Sequence, residues 1–261
     1  MYINKYEVKE IAPKVYVINE YNLATMFVIE GEDQACCIDC GLGAGDYLYV
    51  IRQLTDKPVI LACTHGHCDH IGGRGQFKTL RISRGDSEII KRNNIARRFG
   101  YLLLYYIKGD VKVPITDIKL HPTKKEPMTM FLRQDDTIGL GGKTLKVIAT
   151  PGHTDGSLSF LDIEDKILFT GDVLNPTNVL WFKESDSVET LKKTMEKVKS
   201  LSDEYDFIYP SHSMEPLTKE QFENGMKACD EILKKQNSFL PILQIKNVNG
   251  YKIYYRMNNI R

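Results

Sequence analysis

Thr64-His65-Gly66-His67-Cys68-Asp69-His70 is the stretch on which the fold of this chain turns. It follows an apolar run, residues 58–63, that reads as a buried strand, so three imidazoles and a carboxylate emerge in the loop at a strand's end. Residues two apart in an extended chain share a side, which lets His65 and His67 reach one cation together. A turn then displaces Asp69 and His70, and their place suits a second cation beside the first. A lone histidine is ordinarily a surface or core residue. Three imidazoles and a carboxylate brought together compete for few hydrogen-bond partners, whereas a divalent metal binds neutral imidazole and carboxylate directly. One short loop can therefore supply half of a two-metal site.

The chain has 261 residues, 42% of them apolar, which is ordinary for a globular protein with a sizeable core. Its 35 basic and 34 acidic side chains leave a net charge of +1, so the overall balance argues for neither a nucleic-acid nor a membrane partner. The first residues lack the long apolar run of a secretory signal, and no segment approaches the roughly twenty apolar residues that span a bilayer. A cytoplasmic protein is expected. Of the six cysteines, Cys36 and Cys37 lie in a strand-like run and act there as small apolar residues. Their spacing does not make a zinc knuckle, and reduced structural thiols are expected. Cys68 differs, because it stands among ligand positions where a thiolate could meet a metal or an oxidant.

Working outward from the motif, residues 14–19, 24–30 and 34–40 alternate β-rich runs with turns, and residues 46–54 carry apolar side chains at helical intervals. Gly41-Leu42-Gly43-Ala44-Gly45 lacks the third glycine of a dinucleotide loop and reads as a strand-to-helix turn. Beyond the motif, Gly72-Gly73-Arg74-Gly75 marks a place where backbone comes close to something. Residues 86–107 read as one helix with interspersed arginines, either a core-facing helix with a solvated basic face or a lid whose tyrosines and arginines border a pocket. Residues 111–131 read as loop, with His121 on the surface. Strands are expected at 143–149, 158–163, 166–170 and 207–209, helices from a capping box at Asp186-x-x-Glu189 and from Thr218-x-x-Gln221, and a hairpin over 242–256 closing at Asn249-Gly250. Two halves, each β-rich and then helical with no linker between, predict layered sheets with helices outside. The expected organisation is one domain over 1–261, with 86–130 a helical and loop insertion near the active site and 241–261 a C-terminal hairpin.

Three further polar residues stand where strands end: His153, Asp172 and His212. The ordered series His-x-His-x-Asp-His, Pro151-Gly152-His153-Thr154, Thr170-Gly171-Asp172 and Ser211-His212 resembles the metallo-β-lactamase superfamily over residues 15–235. That resemblance implies an α/β fold, a four-layer αββα sandwich. It implies that His65, His67 and His153 hold a first metal, that Asp69, His70 and His212 hold a second, and that Asp172 bridges them. Zinc is the expected metal, with iron or manganese as alternatives. Two cations about 3.5–4 Å apart would share a hydroxide as nucleophile, with Asp69 and Asp172 in catalytic roles and Asp69 a candidate proton carrier. Asp39 resembles the family's buried aspartate that braces the motif loop.

The same resemblance separates branches. β-Lactamases of the superfamily lack an aspartate at the bridging position, so Asp172 counts against antibiotic hydrolysis. Glyoxalase II-type hydrolases carry the complete set, with a Gly-Asp-Thr-Leu-Phe-like run where this chain has Gly171-Asp172-Val173-Leu174-Asn175. Quorum-quenching lactonases place a tyrosine where Asn175 stands. The expected function is hydrolysis of small esters, thioesters or lactones. The alternatives are an iron-dependent sulfur dioxygenase and a phosphodiesterase or nuclease of the same fold. A small-molecule substrate is the expected partner, and self-association through the aromatic hairpin is open. Composition names no substrate-binding residue.

Overall fold

The computed structural model describes residues 1–111 and 113–261; Lys112, one position of the 86–130 insertion and of the 111–131 loop, lies outside the described residues. The first half contains β1 (Tyr2–Ile3), β2 (Tyr6–Ala12), β3 (Val15–Glu20), β4 (Ala24–Glu30), β5 (Ala35–Ile38), α1 (Tyr47–Arg52), β6 (Val59–Ala62), the single turn α2 (Cys68–Ile71), β7 (Thr79–Ser83), α3 (Ser87–Lys91), α4 (Ile95–Ile107) and β8 (Met128–Leu132). The second contains β9 (Thr137–Gly139), β10 (Thr144–Ala149), β11 (Leu158–Asp162), β12 (Ile167–Gly171), β13 (Thr177–Leu180), α5 (Val188–Ser200), β14 (Phe207–Pro210), α6 (Lys219–Leu233), β15 (Leu243–Val248) and β16 (Tyr251–Arg256).

Among the described residues β1 to β8 form one sheet in chain order, and β14-β12-β11-β10-β9 form a second. Pairing in the first is antiparallel from β1 to β5 and parallel from β5 to β8, so the later strands need crossovers, supplied by α1, the motif loop and the α3–α4 segment. Alternation along β4 decides the layering. Phe27 and Ile29 point between the two sheets, where they join Val17, Val147, Phe160 and Phe169. Met26 and Val28 point the other way, onto Tyr47, Val50 and Ile51 of α1. On the far side Leu161, Leu168 and Ile208 of the second sheet meet Leu191, Met195 and Val198 of α5 and Phe222 and Ile232 of α6. The result is the αββα sandwich, with a small third sheet β13-β16-β15 packed against α6. No helix among the described residues is long and apolar enough to cross a membrane.

The structure departs in several places from what the sequence predicts. Helix 86–107 is broken into α3 and α4, because Asn94 caps α4 by accepting from Arg97 N at 3.0 Å, a role asparagine prefers to mid-helix. The N-cap of α5 is Ser187, which accepts from Thr190 N, not Asp186. Residues 128–132 form a strand, not loop: they pair in parallel with β7, and tertiary pairing overrides local composition. Strands β2 and β13 lie where none was expected. The Thr218 capping box forms in full, and Asn249 and Gly250 turn the last hairpin with φ of 47° and 90°, the left-handed pair that a two-residue turn of this kind requires.

Candidate metal centre

Each candidate ligand stands just past the C-terminal end of a strand. β6 feeds His65 and His67, α2 turns Asp69 and His70 back towards them, and β10, β12 and β14 deliver His153, Asp172 and His212. The side chains gather in two groups, His65, His67 and His153, and Asp69, His70, Asp172 and His212, with ligand atoms within 4.8 Å of one another in each. Five of the six histidines thus come together, and the sixth, His121, is exposed elsewhere.

In the first group the outer ring nitrogens are spoken for. Thr64 Oγ1 donates to Asp39 and so accepts from His65 Nδ1 at 3.1 Å; His153 Nδ1 donates to the Val179 carbonyl at 2.9 Å; His67 Nε2 faces Glu184 Oε1 at 3.4 Å. The inner nitrogens then carry lone pairs, and they crowd together: His67 Nδ1 lies 3.1 Å from His65 Nε2 and 2.8 Å from His153 Nε2. Three acceptors at that separation suit a cation between them. Burial, helped by the neighbouring imidazoles, holds the His65 ring well below its usual range, and burial lowers His153 to about 4, so both are neutral ligands at pH 7.

The second group is electrostatically opposite. His70 Nδ1 donates to Asp39 Oδ2 at 2.8 Å, while Nε2, fully buried, has no hydrogen-bond partner and faces Asp172 Oδ1 at 3.5 Å and Asp69 Oδ2 at 3.6 Å. His212 Nε2 faces the same two oxygens at 3.2 and 3.4 Å. Burial works against charge on both rings, but Asp172 and Asp69 outweigh it and raise both, joined at His70 by Asp39. Burial would likewise raise the Asp172 carboxyl; His212 and His70 more than reverse this and hold it well below the usual range. Asp172 also looks to the first group, with Oδ2 3.6 Å from His153 Nε2, and Asn175 Nδ2 donates to its Oδ1 at 2.9 Å. A cluster that draws positive charge and leaves His70 Nε2 orphaned fits a divalent cation with nitrogen and oxygen ligands.

The bracing is buried and mostly made to backbone. Asp39 accepts from Thr64 N at 2.8 Å and Thr64 Oγ1 at 2.9 Å as well as from His70. Asp39 and His212 both take left-handed backbone, φ 62° and 64°, a conformation non-glycine residues rarely keep without compensation. Gly171 has φ 56° and leaves no room for a side chain, since a Cβ there would sit 2.5 Å from Thr64 Oγ1. The Gly72-Gly73 turn presses on the 40–42 loop, where a Cβ on Gly73 would lie 2.3 Å from the Cys40 carbonyl oxygen.

Two residues escaped the sequence reading. Asp86, fully buried after β7, accepts from Gly66 N at 2.6 Å, Gly156 N at 3.1 Å and Thr154 Oγ1 at 3.1 Å, tying the loop between His65 and His67 to the loop after His153. Its place past a strand end was the available signal. Asp86→Ala, which orphans those donors, is expected to cost about 2 kcal/mol of stability and to weaken cation binding by roughly tenfold; urea unfolding and chelator competition measure the two, and unaltered affinity would remove Asp86 from the account. Glu184 is the other, its carboxyl drawn down to about 2 by His67 and, less, by Arg97. Cys68 is corrected: burial pushes its thiol up to about 12, so it lines the site protonated rather than as a thiolate. All six cysteines are free and buried.

Over the two groups opens a cavity of about 380 Å³ walled by Arg97, Tyr101, Leu104 and Tyr105 of α4 on one side and Val179 and Phe182 on the other. Arg98 does not join the solvated face expected for it. It is buried and donates to the carbonyls of Leu42 at 2.7 Å and His121 at 2.8 Å, pinning α4 over the site.

The chain has relatives among known proteins. The family described as the metallo-beta-lactamase superfamily matches residues 22–212. The human acyl-coenzyme A thioesterase MBLAC2 is 29% identical over 195 residues, 68% of this chain and 69% of that protein. Hydroxyacylglutathione hydrolase GloC of Haemophilus influenzae is 30% identical over 145 residues, 56% of this chain and 63% of its own. Among solved structures, an archaeal superfamily protein from Sulfolobus tokodaii superposes with a TM-score of 0.57 at 21% identity, covering 87% of this chain and 85% of that one. A metallo-beta-lactamase from Pontibacter korlensis gives 0.62 at 17% identity, covering 85% and 97%.

Proposed function

The chain belongs to the metallo-beta-lactamase superfamily, and on that premise we propose that it hydrolyses the acyl bond of a small ester or thioester at a pair of divalent cations. One water is consumed, the acyl carbon–sulfur or carbon–oxygen bond breaks, a carboxylate and a thiol or alcohol leave, and one proton is released. The reading rests chiefly on one observation: Asp172 turns one carboxylate oxygen to each of the two ligand groups, directly beneath the cavity. His65, His67 and His153 would hold one cation and Asp69, His70 and His212 the other, with Asp172 between. Zinc, iron or manganese would supply Lewis-acid polarisation of an acyl oxygen and of the attacking water.

The residues around that pair have separable tasks. Asp69, whose Oδ2 faces His70 and His212, would take and pass on the proton of the attacking water. Asn175 fixes the rotamer of Asp172, and His153 is fixed by Val179. Tyr101, Leu104 and Phe182 exclude bulk water from the acyl group and align it. The thioesterase and hydroxyacylglutathione hydrolase names of two relatives support an acyl substrate.

The test is a panel of thioesters, lactones, phosphodiesters and a β-lactam assayed on protein stripped by chelator and then reconstituted. Thioester turnover that vanishes on stripping and returns with zinc, manganese or iron is expected. Turnover restricted to phosphodiesters or the β-lactam would replace this reading.

A further inference from the structure

Arg74, Arg92, Arg97 and Arg98 are provided for differently. Arg98 and Arg74 commit their N–H groups to carbonyls and to Glu126 at 2.7–3.4 Å. Arg97 lines the cavity and Arg92 does not; their side chains are 40% and 48% exposed, and among the described residues neither guanidinium donates a hydrogen bond. Both only face Glu184, across 3.7 Å from Arg97 Nη2 to Oε1 and 4.0 Å from Arg92 Nη1 to Oε2. Those separations exceed a hydrogen bond, and Glu184 divides itself further by facing His67. Arg92, Lys183 and Glu184 also line a smaller cavity of about 160 Å³, whose other walls include Glu88 and Asp155. Glu88 is paired with Lys91. An under-used planar donor fork, that of Arg97, therefore borders a wall that is otherwise apolar, formed by Tyr101, Leu104, Val179 and Phe182, and a second, that of Arg92, faces the same Glu184 carboxylate from the smaller cavity.

Resting on the hydrolase reading, we infer that Arg97, with Arg92 beside it, grips an anion of the substrate, which is an amphiphilic ester or thioester bearing a phosphate or carboxylate on one side of the scissile bond and an apolar chain on the other. Guanidinium forks match both anions bidentately, and an apolar wall beside them lowers the local dielectric and strengthens the contact. Glu184 holds the two forks in place and competes with the incoming anion. Arg97 is a specificity residue in this scheme, not one that touches the reacting atoms.

The test titrates reconstituted protein by calorimetry with hexyl phosphate, hexanoate and hexanol. An anionic probe is expected to bind at least about tenfold more tightly than hexanol. Phosphate ahead of carboxylate, or the reverse, identifies the anion. Arg97→Gln removes about tenfold of the anion's affinity, Arg97→Lys recovers part of it, and Glu184→Gln shifts it the other way, to tighter binding. Opposite signs from two neighbours at the mouth are not what mere structural damage produces. Equal affinity of wild type and Arg97→Gln for both anions, which places their binding on the cations alone, or hexanol binding as well as the anions, overturns the inference. The kcat/KM ratio of a phosphorylated to a neutral thioester, expected to fall about tenfold in Arg97→Gln, separates the two claims. Anion binding through Arg97 with no turnover of either thioester refutes the hydrolase reading alone, and turnover indifferent to charge refutes this inference alone.

Discussion

Asp172→Asn is expected to lower kcat/KM for a thioester by about a thousandfold or more, with most of the loss in kcat. The substitution preserves shape and packing, so what it removes is charge and one acceptor. In the wild type Oδ1 stands 3.2 Å from His212 Nε2 and 3.5 Å from His70 Nε2, and Oδ2 stands 3.6 Å from His153 Nε2. An asparagine must turn an N–H towards one of the two groups, where it meets a ring nitrogen or a cation instead of neutralising it. Asn175, which donates to Oδ1, then enforces that orientation, because the amide keeps its carbonyl towards the donor and its NH2 towards His153. Metal content should fall with activity. A variant within tenfold of wild type, with full metal content, would take Asp172 out of the machinery.

Asp39→Ala carries the largest expected loss of stability, about 3–5 kcal/mol, corresponding to a drop in Tm of roughly 10 °C. Asp39 is fully buried and satisfies three donors at 2.8–2.9 Å, one of them on a ring whose charge it helps to hold. The sign of the pH dependence follows from His70. Its folded value is raised above the ordinary 6.5 with Asp39 among the causes, so the stabilisation is fully present below that value and is lost as pH rises through the folded one. In chelator-stripped protein the gap between wild type and Asp39→Ala should therefore be widest at acid pH and narrow on the alkaline side. Urea midpoints from pH 5.5 to 9 measure it, and a gap that widens with pH would contradict the assignment.

Much of the site could be read from the chain because its chemistry is local. Three imidazoles and a carboxylate in one loop after an apolar run announce a metal address without any tertiary information, and His153, Asp172 and His212 each follow a recognisable strand. Asp39, just past β5, came instead from the resemblance to the family's bracing aspartate. Asp86 was missed, because two of its three partners are the backbone N–H groups of Gly66 and Gly156, which have no side-chain signature, and the third, Thr154, lies far along the chain. Strands β8 and β13 were missed for a related reason: each owes its extended form to a parallel neighbour far along the chain, β7 and β16. The run 86–107 gave its apolar content plainly but not its break, nor which arginine would turn inwards. Arg98 is buried on carbonyls while Arg97, next to it, lines the cavity, a difference set by helical phase against a loop that the local pattern does not show.

The account depends on two cations side by side, and cation stoichiometry tests it most directly. Chelator-stripped protein titrated with Co²⁺, followed by its visible absorption and by metal analysis after gel filtration, should take up two equivalents per chain. Uptake of one equivalent would leave Asp69, His70 and His212 without the role given to them and favour a single-iron chemistry, and uptake of none would contradict the metal centre altogether.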